Sequence, residues 1–252
     1  MSAEDQAEVI EFLSRPSTHG GAPVETIDSH ASVVFLVRDR AWKLKRAVRY
    51  DYLDFSTVER RKALSEAEVR LNRRTAPALY HGVVPVTRAP DGSLALGGSG
   101  EPVDWVIEMQ RFDQAALLDR LAAREQLDVA AMPRLGRAIA RFHLGAEHRS
   151  DHGGKAGIRW VVDGNAAGFA EYGPAALDPA ACARVTEAAR AALERHGALL
   201  DARRNDGFVR QCHGDLHLRN IVLLADEPTL FDGVEFNDEI ACIDVLSTSR
   251  SC

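Results

Sequence analysis

No stretch of this 252-residue chain approaches 18 uninterrupted apolar residues, and the opening MSAEDQAEVIEF is acidic where a secretory leader is basic and then apolar. Both absences argue against a membrane partner and point to a cytoplasmic protein. Excess positive charge is lacking too. The 31 Lys and Arg stand against 37 Asp and Glu, a formal net charge of −6 and a pI near 5.9, so nothing attracts a nucleic-acid backbone or an anionic membrane without regard to sequence. Cysteine is sparse: Cys182, Cys212, Cys242 and Cys252 include no C-x-x-C pair. That spacing suggests neither a zinc knuckle nor a disulfide framework and favours buried reduced thiols. There is no internal repeat, no low-complexity tract beyond alanine-rich helix surface, and no G-x-x-x-x-G-K-[ST] phosphate loop. What is present, 46% hydrophobic content over this length, suffices for one large domain or two modest lobes.

The patterning changes character along the chain. Ser2 with Asp5 predicts a capped helix carrying Val9, Ile10, Phe12 and Leu13, which must stop before Pro16. Residues 33–37 and 41–48 flank the turn Arg38-Asp39-Arg40 and predict a hairpin. Its second strand bears Lys43 and Lys45 on one face, because side chains two apart in a strand point the same way. Ser56 and Glu59 form a capping box for a charged helix to about Arg74, with Leu64, Ala67 and Leu71 as a narrow apolar stripe and Glu66 and Glu68 at its middle. Strands follow over 79–87, 94–96 and 103–109, the first pair joined by Asp91-Gly92. Helices are then predicted over 115–124, from Pro133 to about His148, and from Asp178 through His196 to a stop at Gly197. The fold class is therefore α+β: a small antiparallel-sheet lobe with one inserted helix over residues 1–110, and a mainly helical lobe over 111–252, with the boundary at 110–113.

The stretch from Cys212 to Gly233, CHGDLHLRNIVLLADEPTLFDG, carries the chemistry. His213, Asp215 and Asn220 stand in an H-x-D-x-x-x-x-N spacing, followed by the apolar run 221–224, a turn, and Leu230-Phe231 leading into Asp232. A phosphoryl transferase needs such a set. One carboxylate accepts the proton of an attacking hydroxyl, while an amide oxygen and a second carboxylate hold magnesium against nucleotide phosphates. The plainer account is that Asp and Asn form turns by bonding their own backbone. Against it, the preceding lobe supplies the remaining parts in order: a strand cation in Ala41-Trp42-Lys43, then a helix carboxylate, Glu66 or Glu68. Lys43 is preferred over Lys45 because Ala41, two residues earlier on the same face, leaves room for an adenine ring. Zinc at Cys212, His213 and His217 is disfavoured, since the i, i+4 histidine spacing serves zinc on a helix and Gly214 with the following strand argues against one.

HGDLHLRN, then FDG, after an A-x-K strand and a Glu-bearing helix, resembles the aminoglycoside phosphotransferase family of protein-kinase-like enzymes, and within it a bacterial branch often fused to a C-terminal ATP-binding P-loop domain. EVRLNRRTAPALYHGVVPV is similar to that branch as well. The resemblance covers residues 24–246. It implies a two-lobed protein-kinase-like fold with ATP and Mg2+ between the lobes, a fused or separate P-loop ATPase partner in relatives, and a small-molecule hydroxyl as acceptor. On the motif positions it implies Asp215 as base beside His213, Asn220 and Asp232 as metal ligands, and Lys43 on the α- and β-phosphates with Glu68 or Glu66 holding it. The backbone of 108–111, including Glu108, Met109 and Arg111, would be the adenine hinge.

Two departures stand out. The loop Asp28-Ser29-His30-Ala31-Ser32 has no G-x-G-x-x-G, so Ser29 and Ser32 hydroxyls are the candidate phosphate contacts, as suits relatives that also lack those glycines. The family pattern runs on from residues 243–246 into a further acidic position and several apolar helices. Here Ser247-Thr248-Ser249-Arg250 follows and the chain ends, so the resemblance implies a truncated helical lobe with Ile221, Val222, Leu223 and Ile243 partly exposed. The alternative function is a nucleotide-binding pseudokinase or an inactive truncated fragment. Asp151, Asp163 and Glu171 are the acids that would meet a cationic acceptor if they are more than solvated surface.

Overall fold

The computed structural model describes residues 3–248; Ser2, the expected cap of the first helix, and Cys252 lie outside them. In chain order the elements are α1 (Ala3–Ser14), β1 (Glu25–Asp28), β2 (Ser32–Val37), β3 (Arg40–Lys45), β4 (Arg49–Tyr50), β5 (Leu53–Asp54), α2 (Val58–Asn72), β6 (Tyr80–Arg88), β7 (Leu94–Leu96) and β8 (Glu101–Gln110). There follow α3 (Leu118–Ala123), α4 (Met132–Gly145), α5 (Gly154–Tyr172), α6 (Pro179–Asn205), β9 (Val209–Gln211), β10 (Ile221–Leu224), β11 (Glu227–Leu230), α7 (Asp238–Ala241), β12 (Cys242–Asp244) and α8 (Val245–Thr248). This is an α+β protein, an antiparallel-sheet lobe plus helices, as in kinase-like folds. The described residues divide into two compact units: those up to Ala138 together with His217–Asn237, and Ile139–Leu216 together with those from Asp238 on.

The first unit is built on a six-stranded antiparallel sheet in the order β1-β2-β3-β8-β6-β7. Alternation along the strands sorts its side chains to two faces. Val33, Phe35, Leu44, Val86 and Val106 pack under Val9 and Leu13 of α1. On the other face Leu36, Ala41, Ile107, Met109 and Tyr80 pack with Val69 of α2, Leu117 and Val222. Ala41, Lys43 and Lys45 therefore share the α2 side of β3, and the long stems of both lysines run toward that helix.

The expected apolar stripe of α2 is corrected by the structure. Its buried face is largely polar: Arg61, Ser65, Glu68 and Asn72, joined by Val69 and Leu71, whereas Leu64 and Ala67 are only half-buried. Arg61 Nε donates to Asp104 of β8 at 2.8 Å with both side chains fully buried. The cap is also shifted. Thr57, not Ser56, accepts the Arg60 N–H, while Ser56 bonds Asp54. One residue decides this, because Thr57 has the extended backbone a cap requires.

The second unit holds a helix the sequence did not suggest. α5 and α6 pack as a pair, laced by Lys155–Glu194 at 2.6 Å, Arg159–Glu194 at 2.7 Å and Arg190–Asp163 at 2.9 Å. Nor does α6 stop at Gly197. It continues to Asn205, and Gly197 lies inside it as a point of close approach, where a Cβ would sit 2.5 Å from Lys155 Cδ. Asp178 caps it as expected, accepting from the Ala180 and Ala181 N–H groups. β9 pairs with β12, and Arg149 gathers Asp151 and Asp238 around the buried Cys242. Of the four residues expected to be partly exposed, Leu223 and Ile243 are half-buried, whereas Ile221 and Val222 are fully buried.

Candidate functional site

A cavity of about 260 Å³ opens in the first unit, on the Ala41 face of the sheet. Its apolar lining is Val34, Leu36, Ala41, Met109, Leu117 and Phe231, and its polar lining includes Ser29, Ser32, Lys43, Arg219, Asn220 and Asp232. Phe112 and Phe231 meet edge to face 5.2 Å apart at one side. Residues from distant parts of the sequence thus converge: the β1–β2 turn, β3, the end of β8, and the segments on either side of the β10–β11 hairpin.

Charge is concentrated at one end. Lys43 Nζ donates to Glu68 Oε1 at 2.8 Å and to Asp232 Oδ1 at 2.5 Å. Lys45 Nζ donates to Glu68 Oε2 at 2.5 Å and to Glu235 Oε1 at 2.5 Å. Glu68 is wholly buried, so its two carboxylate oxygens are shared between two ammonium groups on one strand face. Burial alone would lower the pKa of Lys43, yet Asp232 and Glu68 hold it well above the ordinary value. Lys45 is likewise raised, burial being outweighed by Glu235 and Glu68. Both remain cationic at neutral pH. Burial pushes Glu235 up to about 7, with Lys45 opposing and Glu68 adding to the rise. Tyr80 is raised well above its usual value, by burial first and then by Glu68 and Asp232; its neutral hydroxyl accepts the Asp232 N–H at 3.1 Å.

Local backbone explains how Asp232 is presented. It adopts φ 61°, in the left-handed region that Asp tolerates better than most residues. Gly233 N–H donates to Asn72 Oδ1 at 2.7 Å, which ties this turn to α2. Just before it, the Phe231 N–H donates to the Asn220 carbonyl at 3.0 Å, so the two candidate metal-holding residues are linked through the backbone of one hairpin.

The other residues singled out in the sequence fall as follows. Glu66 is exposed, 3.9 Å from Lys62, and makes none of the lysine contacts that Glu68 makes. Ser29 and Ser32 both line the cavity, but their hydroxyls lie 3.1 Å apart and close the β1–β2 turn, with the Ser32 N–H donating to Ser29 Oγ. In 108–111, Glu108 pairs with Trp42 and lies 3.6 Å from Arg40, while Met109 and Arg111 line the cavity. The N–H groups of Gln110 and Arg111 already donate to Leu79 and Asp39 carbonyls, both at 2.8 Å. His213 is buried and Asp215 exposed, both in the second unit. There Asp151 pairs with Arg149 and Asp163 with Arg190. Glu235, Asn72 and Tyr80 were not anticipated, and Lys45, set behind Lys43 in the sequence, shares Glu68 with it. The spacing of Arg61, Ser65, Glu68 and Asn72, all polar and on one helical face, was the available signal for α2.

Residues 24–234 match the phosphotransferase enzyme family, APH. The chain belongs to this family, that of the aminoglycoside phosphotransferases. It is similar to the uncharacterized protein Rv2004c of Mycobacterium tuberculosis strain H37Rv and the uncharacterized protein Mb2027c of Mycobacterium bovis, at 29% identity over 227 residues in each case. Those matches cover 88% of this chain and 43% of either relative, so the chain spans about two-fifths of their length. No helix among the described residues is long and apolar enough to cross a membrane.

Proposed function

We propose that this chain is an ATP- and magnesium-dependent phosphotransferase that moves the γ-phosphate to a hydroxyl of a small-molecule acceptor, with the cavity of the first unit as the nucleotide site. The observation that carries this is the convergence of Lys43, held by Glu68, with Asn220 and Asp232 on one apolar-walled cavity in a member of the phosphotransferase family. Ala41, Leu36, Met109 and Phe231 supply flat apolar walls suited to an adenine ring. Lys43 would take the α- and β-phosphates, leaving Asp232 for the metal.

The donor set fits magnesium. Asn220 and Asp232 are hard oxygen ligands, and among the described residues there is no cluster of three or more His, Cys, Asp or Glu able to hold a metal. Two protein ligands completed by phosphate oxygens and water suit an ion that gives up its waters reluctantly. When bound, it would neutralise charge developing on the transferred phosphoryl group. Asp215, five positions before Asn220 in the family's motif, is the proposed base for the acceptor hydroxyl, with His213 beside it in the motif. Met109 and Arg111 would border the adenine.

Thermal unfolding with and without Mg-ATP tests the site. Nucleotide at a hundred times its dissociation constant should add about 2.7 kcal/mol, and an unchanged midpoint at millimolar Mg-ATP would remove the nucleotide site. Asp215→Ala should keep the shift and lose phosphate transfer or ATP hydrolysis. A shift in the unmutated chain with neither activity would instead favour a binding protein without turnover.

A further inference from the structure

Lys43, Glu68 and Asp232 have parts in the proposed chemistry, but Lys45 and Glu235 have none, and they are the more deeply buried pair. Their side chains are 2% and 5% exposed, against 13% for Lys43 and 42% for Asp232. Lys45 is enclosed further by the Phe55 ring, 4.7 Å from its ammonium. Stability does not explain such a pair, because apolar side chains of similar volume usually serve a core as well or better. Geometry offers another reason. The Glu68 carboxylate can turn about its last bond, and what fixes it is the Lys45 ammonium on Oε2, leaving Oε1 directed at Lys43. The same ammonium holds Glu235, three residues beyond Asp232 in the segment that joins β11 to α7. Asn72 ties Gly233 of that segment to α2.

We propose, resting on the Mg-ATP reading of the cavity, that Lys45 and Glu235 are positioning residues for phosphate binding: they lock Glu68 with one oxygen reserved for Lys43 and anchor to β3 the segment that bears Asp232. Without Lys45, both oxygens of Glu68 are left to Lys43, which also serves Asp232 and is drawn from the phosphates. Without the Glu235 charge, Lys45 is free to take a larger share of Glu68. Neither residue lines the adenine walls, so the loss falls on the phosphate end of the ligand alone.

The test, run at about pH 8.5 so that Glu235, raised to about 7, is ionised, compares Lys45→Met, Glu235→Gln and their double variant with the unmutated chain, measuring affinity for Mg-ATP by calorimetry and for adenosine, which has no phosphates, by displacement. Mg-ATP affinity should fall about tenfold or more in each single variant, adenosine affinity should stay within about twofold, and the double variant should lose much less than the product of the two single losses. Mg-ATP affinity equal to the unmutated chain's in Glu235→Gln, or a parallel loss of adenosine, overturns the positioning role. If Lys45→Met does not fold, Glu235→Gln, of the same shape and uncharged, decides alone. An unmutated chain that binds neither ligand overturns the nucleotide site itself and the positioning role with it, whereas tight Mg-ATP binding shared by wild type and variants overturns only the latter.

Discussion

At the scale of single residues, Glu68 is where sequence and structure meet most closely. Two glutamates two positions apart in α2 are alike in the sequence, but only one side of the helix faces β3. Glu68→Ala takes one of its two carboxylate partners from each of Lys43 and Lys45, leaving them Asp232 and Glu235, and should cost about 1.5–3 kcal/mol, whereas Glu66→Ala at an exposed site should change stability by less than about 0.5 kcal/mol. Urea unfolding midpoints separate the two. Glu235 gives a pH signature. Its folded-state pKa is raised from 4.5 to about 7, so the native protein keeps a proton that the unfolded chain releases. The stability this supplies is complete below the unfolded value and is lost as pH rises through about 7. Glu235→Gln should therefore flatten the fall in stability between about pH 5 and 8, as read from denaturant midpoints against pH. Lys43, Asn220 and Asp232 were legible because spacing and residue type are constrained by the chemistry they would perform. Lys45 was legible as the second lysine of that face but its pairing with Glu235 was not, because a glutamate in an irregular segment looks the same whether it faces solvent or a buried ammonium.

Among elements, β2, β3, β6, β7 and β8 could be read from alternation, Asp91-Gly92 and the lysine-bearing hairpin, with ends displaced by a few residues, while the edge strand β1 could not. In the second unit the start of α6 at its Asp178 cap could be read, but its end and the whole of α5 could not. α5 opens at Gly153-Gly154 and contains Gly157, Gly164 and Gly168, a glycine density that reads as loop; the structure makes it a helix because it packs along α6 and is bound to it by ion pairs. Conversely Gly197 looked like a stop and is a spacer. Substitutions tell the two kinds apart. At Gly164 an added Cβ meets nothing within 4 Å, so Gly164→Ala should raise stability by about 0.5–1 kcal/mol. Gly197→Val must displace Lys155 from its bond to Glu194 and should lower stability by roughly 1–3 kcal/mol. Thermal unfolding of the two variants should shift in opposite directions.

For the molecule as a whole, fold class followed from the order of patterns, strands first and helices after, and the family from one short motif with a lysine strand ahead of it. The division into units was less legible, since His217–Asn237 belongs with the sheet although it follows most of the helices in sequence; no local pattern records so long a return. One feature reaches beyond the folded state. Asp232 holds a left-handed backbone at φ 61°, a conformation that costs a non-glycine residue on the order of 1–3 kcal/mol. Glycine there would relieve the cost and asparagine would tolerate it, yet both remove the carboxylate. In a library of variants sorted once for cellular abundance and once for phosphate transfer, Asp232→Gly and Asp232→Asn should be retained by the first sort and purged by the second. Equal retention in both would mean that the position is kept for folding. The opposite rankings would record, at one residue, a molecule that forgoes some of its own abundance to keep its chemistry.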